Sequence, residues 1–233
     1  MPGLKKKEDV KNMFDDISNR YDFLNHFLSF GIDKLWRRKL TRLLSEKNPR
    51  SILDVATGTG DLAIALAKLN PLKITGIDIA EKMLTIAREK VSRKKLCTII
   101  TFETGDAENI PFTDNSFDAV TVAFGVRNYE NLLMGLKEMN RVLKQGGTMM
   151  ILEFSKPRSN FLNHLYRFYS RRIIPFTGQF ISKNKHAYQY LPDSVAAFPA
   201  GKDFLEILKE SGLTNNREYS LTGGIATIYV GDK

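Results

Sequence analysis

The residues Asp54-Val55-Ala56-Thr57-Gly58-Thr59-Gly60-Asp61 stand between an apolar run and an amphipathic stretch, where a strand would turn into a helix. Glycine at such a turn lets the backbone approach a ligand closely, and the free N–H groups of a helix start can meet an anionic group. Asp78 follows Gly60 by 18 positions and closes the next apolar run. A carboxylate there can accept hydrogen bonds from two ribose hydroxyls. The pattern points to a cofactor containing adenosine, with Asp54, Gly58, Thr59, Gly60 and Asp78 as its contacts. It does not choose among such cofactors, since Gly58-x-Gly60-x-x-Ala63 also fits the dinucleotide fingerprint. A tight turn with a purely structural role is the bland alternative.

Other chemistry-bearing residues lie further along. Asp106-Ala107 follows the third apolar run, where an adenine amino group needs an acceptor. Arg127-Asn128 comes after the fourth run, and Glu153 ends the fifth. His26, His164 and His186 have no metal-ligand spacing, and the single cysteine, Cys97, excludes a disulfide framework or a multi-cysteine zinc site. No metal is implied.

Positioning these residues requires a particular set of elements. Val10, Met13, Phe14, Ile17, Tyr21 and Leu24 recur at helical spacing. Gly31 breaks that helix, and Asp33 is placed to cap a second one with Leu35, Trp36, Leu40, Leu43 and Leu44 on its apolar side. Ser51–Ala56, Lys73–Asp78, Thr98–Glu103, Phe117–Ala123 and Thr148–Glu153 have the length and β-branched content of strands. Gly60–Leu69, Glu81–Lys95 and Leu132–Leu143 read as the helices between them, and Gly146-Gly147 as the turn into the fifth strand. Such alternation predicts a doubly wound α/β parallel sheet. A helix at Gly201–Ser211 follows, and Glu218–Leu221 and Ile225–Val230 bracket Gly223-Gly224 as an antiparallel hairpin. The 233 residues thus make one domain, 1–233, with a helical arm over 1–48 and a helical insertion or lid over 155–200.

The formal charge is +9, unevenly spread. Residues 1–50 carry twelve basic and seven acidic side chains, and 155–190 carry seven basic and none acidic. This asymmetry fits an anionic surface as partner, a nucleic acid or a lipid headgroup layer, against the alternative of a solvated basic face. No apolar run is long enough to span a membrane, and the charged start lacks a secretory signal's apolar core. The expectation is a cytoplasmic protein with peripheral contact at the inner face of the plasma membrane.

Three features favour S-adenosylmethionine over a nicotinamide dinucleotide. Asp106-Ala107 suits the adenine. Asp54 and Asp61 crowd the turn with acid, which suits a sulfonium-bearing amino acid better than a pyrophosphate. The closing hairpin resembles that of class I S-adenosylmethionine-dependent methyltransferases, whose seven-stranded sheet residues 50–233 resemble as a whole. The Asn/Asp-Pro-Pro-aromatic tetrad of exocyclic-amine methyltransferases is missing at Ala123–Asn128, and Cys97 is badly placed for a pyrimidine nucleophile, so a nucleic-acid substrate rests on charge alone.

Tyr21-Asp22-Phe23-Leu24-Asn25, Ser29 and Trp36, and Arg141-Val142-Leu143-Lys144 through Gly146-Gly147 to Glu153-Phe154-Ser155-Lys156-Pro157, match two signatures. They resemble those of the bacterial ubiquinone/menaquinone biosynthesis C-methyltransferases. Phe124-Gly125-Val126-Arg127-Asn128 and Tyr188-Gln189-Tyr190-Leu191-Pro192 match the same family. Asp33 stands where the first signature has His, and Gln145 where the second has Pro. The resemblance implies methylation of a ring carbon on a polyprenylated quinol, demethylmenaquinol to menaquinol, or a methoxy-benzoquinol in the ubiquinone branch. The ring carbon becomes nucleophilic once the neighbouring phenol, with a pKa near ~10, loses its proton. Arg127 stays protonated and would stabilise the phenolate, Asn128 would orient the hydroxyl or cap a helix, and Tyr21 would bond the second quinol oxygen or pack in the core. Glu153 would hold Arg127, and Tyr188 and Tyr190 would close over the ring, or at least one of them would pack in the core.

Residues 160–174 set Phe161, Leu162, Leu165, Tyr166, Phe168, Tyr169 and Ile173 against Asn160, Asn163, His164, Arg167 and Arg171. That is the pattern of a helix lying in an anionic membrane interface, with a pocket-covering helix as the alternative.

Overall fold

The computed structural model describes residues 6–29, 31–155 and 185–233. Its strands are β1 (Ser51–Val55), β2 (Lys73–Asp78), β3 (Ile100–Thr104), β4 (Phe117–Ala123), β5 (Leu143–Phe154), β6 (Thr214–Leu221) and β7 (Ala226–Asp232). Its helices are α1 (Lys7–Leu28), α2 (Ile32–Ser45), α3 (Asp61–Leu66), α4 (Glu81–Arg93), α5 (Leu132–Val142), α6 (Lys185–Ala197) and α7 (Lys202–Glu210). The strands form one seven-stranded sheet in the order β3-β2-β1-β4-β5-β7-β6. β1 to β5 pair in parallel, and β7 runs antiparallel to both β5 and β6.

The central strands are nearly all apolar because both faces of the sheet are covered. Successive side chains point to opposite faces, so Ile52 joins Trp36, Leu40, Leu66 and Leu84 on one side while Leu53 joins Val120, Leu136, Met139 and Phe204 on the other. Trp36 fixes α2 to the sheet. Its indole N–H donates to Thr222 Oγ1 at 2.8 Å, and its ring lies 6.1 Å from Phe124 and 6.0 Å from Phe154. The chain order reverses between β1 and β4, and a sheet of this kind opens a crevice beyond the carboxyl ends of its strands there. The glycine turn, Asp78, Phe124–Asn128 and Glu153 all fall at that edge.

Two local expectations change. Gly146-Gly147 is no turn before the fifth strand. β5 begins at Leu143, and the pair forms an irregularity inside it, where Phe117 faces Leu143 but Ala119 faces Thr148 and Gly146 takes φ +75°. Asp33 does not cap α2. Gly31, at φ +73°, precedes Ile32, and Asp33 sits in the first turn, accepting from Ser29 Oγ at 2.6 Å and from Arg37. The expected interfacial helix of 160–174, and most of the 155–200 insertion, lie outside the described residues.

Candidate active site

A partly open cavity lies beyond the ends of β1, β2 and β4. Ala56, Gly58, Asp78, Asp106, Ala107 and Asn128 are in its wall, and Val10 and Phe14 of α1 close one side. Asp78 shapes it twice over. One carboxylate oxygen accepts from the Gly58 N–H at 2.8 Å and the other from the Ala80 N–H at 2.9 Å, tying the glycine turn to the end of β2. Burial pushes the Asp78 carboxyl up, and these backbone donors pull against it.

The glycines are required sterically. Gly60 has φ +78°, and a Cβ there would come within 2.8 Å of Phe102 Cζ. A Cβ on Gly125 would come within 2.7 Å of the Ala56 Cβ. With Gly58, Gly105 and Gly125 all in the wall, a flat ligand can lie against bare backbone between the Asp78 and Asp106 carboxylates. This donor set fits an adenosine-bearing group with a cationic end. Asp78 and Gly58 would hold its ribose end, and Asp106 and Ala107 its base.

Three residues named from the turn lie elsewhere. Asp54 is buried beneath it, 1% exposed, accepting from Thr57 Oγ1 at 2.6 Å and from Thr121 Oγ1 at 2.9 Å. Burial raises its carboxyl to about 6. Thr59 donates to Asp22 of α1, behind the turn. Gly60 is the residue before α3 and packs against Phe102. Asp61 is engaged by Lys90 and lies 3.8 Å from Arg37, and Lys90 also donates to Asp22 at 2.7 Å. The acidic crowding at the turn is thus balanced by cations of α2 and α4.

Arg127 and Asn128 sit on a 3-10 turn (Val126–Asn128) that extends from β4. Arg127 Nη1 donates to Glu153 Oε1 at 2.9 Å and to the Phe124 carbonyl, and both charged side chains are nearly inaccessible, at 6% and 0%. The guanidinium lies 5.5 Å from the Phe154 ring. Burial raises the Glu153 carboxyl, with Arg127 opposing it. Tyr190 of α6 donates its hydroxyl proton to Asn128 Oδ1, and burial raises that phenol. Of the sequence-named residues, the structure therefore gathers Arg127, Asn128, Glu153 and Tyr190 beyond the ends of β4 and β5, with Asn128 in the cavity wall. Tyr21 is on α1, but its side chain, like that of Tyr188, lies outside the described ones.

Sequence reasoning misses Lys7 and Glu108. Lys7 Nζ reaches Asp106 Oδ2 at 2.7 Å and Glu108 Oε2 at 3.1 Å, while Glu108 Oε1 accepts the Glu130 and Asn131 N–H groups. Burial lowers the Lys7 ammonium, and the two carboxylates more than reverse that. Glu108, two positions after Asp106, was findable. Lys7 in a charged arm was not. Among the described residues no cluster of His, Cys, Asp or Glu is set to hold a metal.

Sheet order and switch point give the chain the fold of the class I methyltransferases, the class whose methyl donor is S-adenosylmethionine. A SAM-dependent methyltransferase from Aquifex aeolicus superposes with a TM-score of 0.59 at 21% identity, covering 82% of this chain and 87% of that one. Phosphoethanolamine N-methyltransferase 2 of Haemonchus contortus, in complex with S-adenosyl-L-methionine, gives 0.58 at 16%, covering 79% and 48%. At such identities the likeness carries the fold alone. The chain also matches the model of the ubiE/COQ5 methyltransferase family over residues 2–233, and it belongs to that family. It is 46% identical over 231 residues to the ubiquinone/menaquinone biosynthesis C-methyltransferase UbiE of Geotalea uraniireducens (strain Rf4), covering 98% of each. The demethylmenaquinone methyltransferase of Bacteroides fragilis (strain YCH46) is 45% identical over 230 residues, covering 98% of this chain and 94% of that one.

Proposed function

We propose that the protein methylates a ring carbon of a polyprenylated quinol, converting demethylmenaquinol to menaquinol, with the methoxy-benzoquinol of the ubiquinone branch as the second reading. The observation that carries this is the buried cation Arg127, held by Glu153 and next in the chain to Asn128 of the cavity wall, in a chain nearly half identical to quinone-pathway relatives. S-adenosylmethionine supplies an electrophilic methyl group. The chain's own residues prepare the ring. Arg127 remains charged at any working pH, so its role is to favour the phenolate, in a site where water cannot screen it. Asn128, whose carbonyl oxygen takes the Tyr190 proton, presents a fixed amide to the ring hydroxyl. Tyr21 bonds the other quinol oxygen.

The quinol's tail partitions into a bilayer, so the protein works at an anionic membrane surface as a peripheral visitor, including through the basic segment 155–190. Among the described residues no helix is long and apolar enough to cross a membrane. The deciding experiment is incubation with labelled S-adenosylmethionine and, in parallel, demethylmenaquinol, a methoxy-benzoquinol and bulk tRNA. Label in demethylmenaquinol is expected, and label in the benzoquinol alone moves the assignment to the other branch. Label in tRNA alone would sink the reading.

A further inference from the structure

α2 has two faces of opposite character. Trp36, Leu40 and Leu44 are buried against the sheet, with Arg37 and Asp33 paired beside them. Lys34, Leu35, Arg38, Lys39 and Arg42 are all exposed on the outer side. Lys34, Arg38 and Arg42 recur every four residues and form one row along the helix, with Leu35 and Lys39 next to it.

These four cations have no ion pair and no side-chain hydrogen bond among the described residues, and Glu46, one turn past Arg42, pairs with none of them. Some other surface cations have found carboxylates. Arg88 meets Glu81, Arg93 meets Glu89, Lys144 meets Asp118 and Arg217 meets Asp232. Like charges four apart on a helix repel, so an uncompensated row is a local cost that an external anion would relieve. Among the described residues Leu35, 56% exposed, is one of the few large apolar side chains left in water, and it sits inside this basic patch.

We propose that the outer face of α2 is a docking surface for an anionic lipid bilayer. Guanidinium and ammonium groups would meet the phosphates, and Leu35 would dip among the headgroups. The helix cannot insert, because its apolar face is already in the core, so the contact is electrostatic and reversible. A nucleic acid is the less suitable partner, since among the described residues the patch has no exposed aromatic ring on which a base could stack. The surface is also well placed. Trp36, on the inner side of the same helix, lies 6.1 Å from the ring of Phe124 in the cavity wall, so one helix thickness separates headgroups from site. This inference rests on the quinol reading, which is what brings a bilayer into the argument.

Each cation near an anionic leaflet is worth about fivefold in partitioning. The test uses the full chain and sedimentation with phosphatidylcholine vesicles containing about 30% phosphatidylglycerol or none, where only the charged vesicles exert this attraction. Binding to the charged vesicles alone, released at about 0.5 M salt where the Debye length shrinks, is expected. Arg38→Gln/Arg42→Gln should weaken it about 25-fold, two such charges' worth, with the melting temperature unchanged. Methylation of a short-tailed, water-soluble demethylquinol by the same variant should match the parent protein. Equal vesicle binding by variant and parent, no binding by the parent, or tRNA displacing the vesicles at equal phosphate would each overturn the docking surface. Failure of both proteins on the soluble quinol would instead overturn the substrate reading.

Discussion

Asp54 offers the sharpest quantitative test of how the glycine turn is built. It is buried, its two oxygens take the hydroxyl protons of Thr57 and Thr121, and burial raises it from the usual 3.8 to about 6. Below about pH 4 the group is protonated both folded and unfolded, and it costs nothing. Between about pH 4 and 6 the unfolded chain releases its proton while the folded one keeps it, so stability falls as pH rises. Above 6 both forms are charged, and the folded state carries the whole penalty, about 3 kcal/mol.

Asp54→Asn keeps the shape and removes the charge; one threonine hydroxyl still donates to the amide oxygen, and the other can rotate to accept from the amide NH2. The variant should match the parent near about pH 4 and exceed it by about 3 kcal/mol near about pH 7.5. Urea denaturation at several pH values measures this, provided m stays constant. Taking the difference between the two proteins cancels Asp78 and Glu153, whose carboxyls are raised as well. A difference that does not change with pH would refute the reasoning. Calorimetry on the same variant tests the role: acting through Thr57, Asp54 should leave S-adenosylmethionine affinity within a few fold, and a larger loss would make it a direct ligand.

Arg127→Ala should leave cofactor affinity nearly unchanged and cut turnover about 100-fold or more, and lysine should rescue poorly because a point charge does not reproduce the planar fork; lost cofactor binding in calorimetry would contradict the role. Glu153→Gln leaves the Arg127 guanidinium buried without its counter-charge, so a loss of about 3 kcal/mol is expected in urea, together with lower turnover. Asp78→Ala removes the acceptor of two backbone N–H groups, and cofactor affinity should drop at least about tenfold before turnover at saturation changes.

The strands were legible because burial on both faces leaves an unmistakable apolar run, as in Ile52–Val55 and Ala119–Val122. The strand ends were legible too, and with them Asp78, Arg127, Asn128 and Glu153, since a parallel sheet brings all its carboxyl ends to one edge. Gly146-Gly147 was misleading because a Gly pair marks an irregular backbone without saying whether the chain turns or a strand merely slips register.

Spacing along the chain cannot say on which side of a turn a side chain lies, or which distant charge meets it. Asp54 and Asp61 look alike in sequence as acids crowding a cofactor loop. In the fold one is sealed below the loop by two threonines, and the other is drawn back by Lys90, 29 residues away on α4. Asp22 of α1 meets the same lysine, so the arm and the loop share one cation. Among the described residues the carboxylates in the cavity wall are Asp78, Asp106 and Glu108, and Lys7 from the far end of α1 reaches Asp106 and Glu108. The helix that read as an amphipathic arm thus touches the turn at one end and the base-side carboxylate at the other. Its docking therefore helps to shape the cavity, whose wall includes Lys7, Val10 and Phe14.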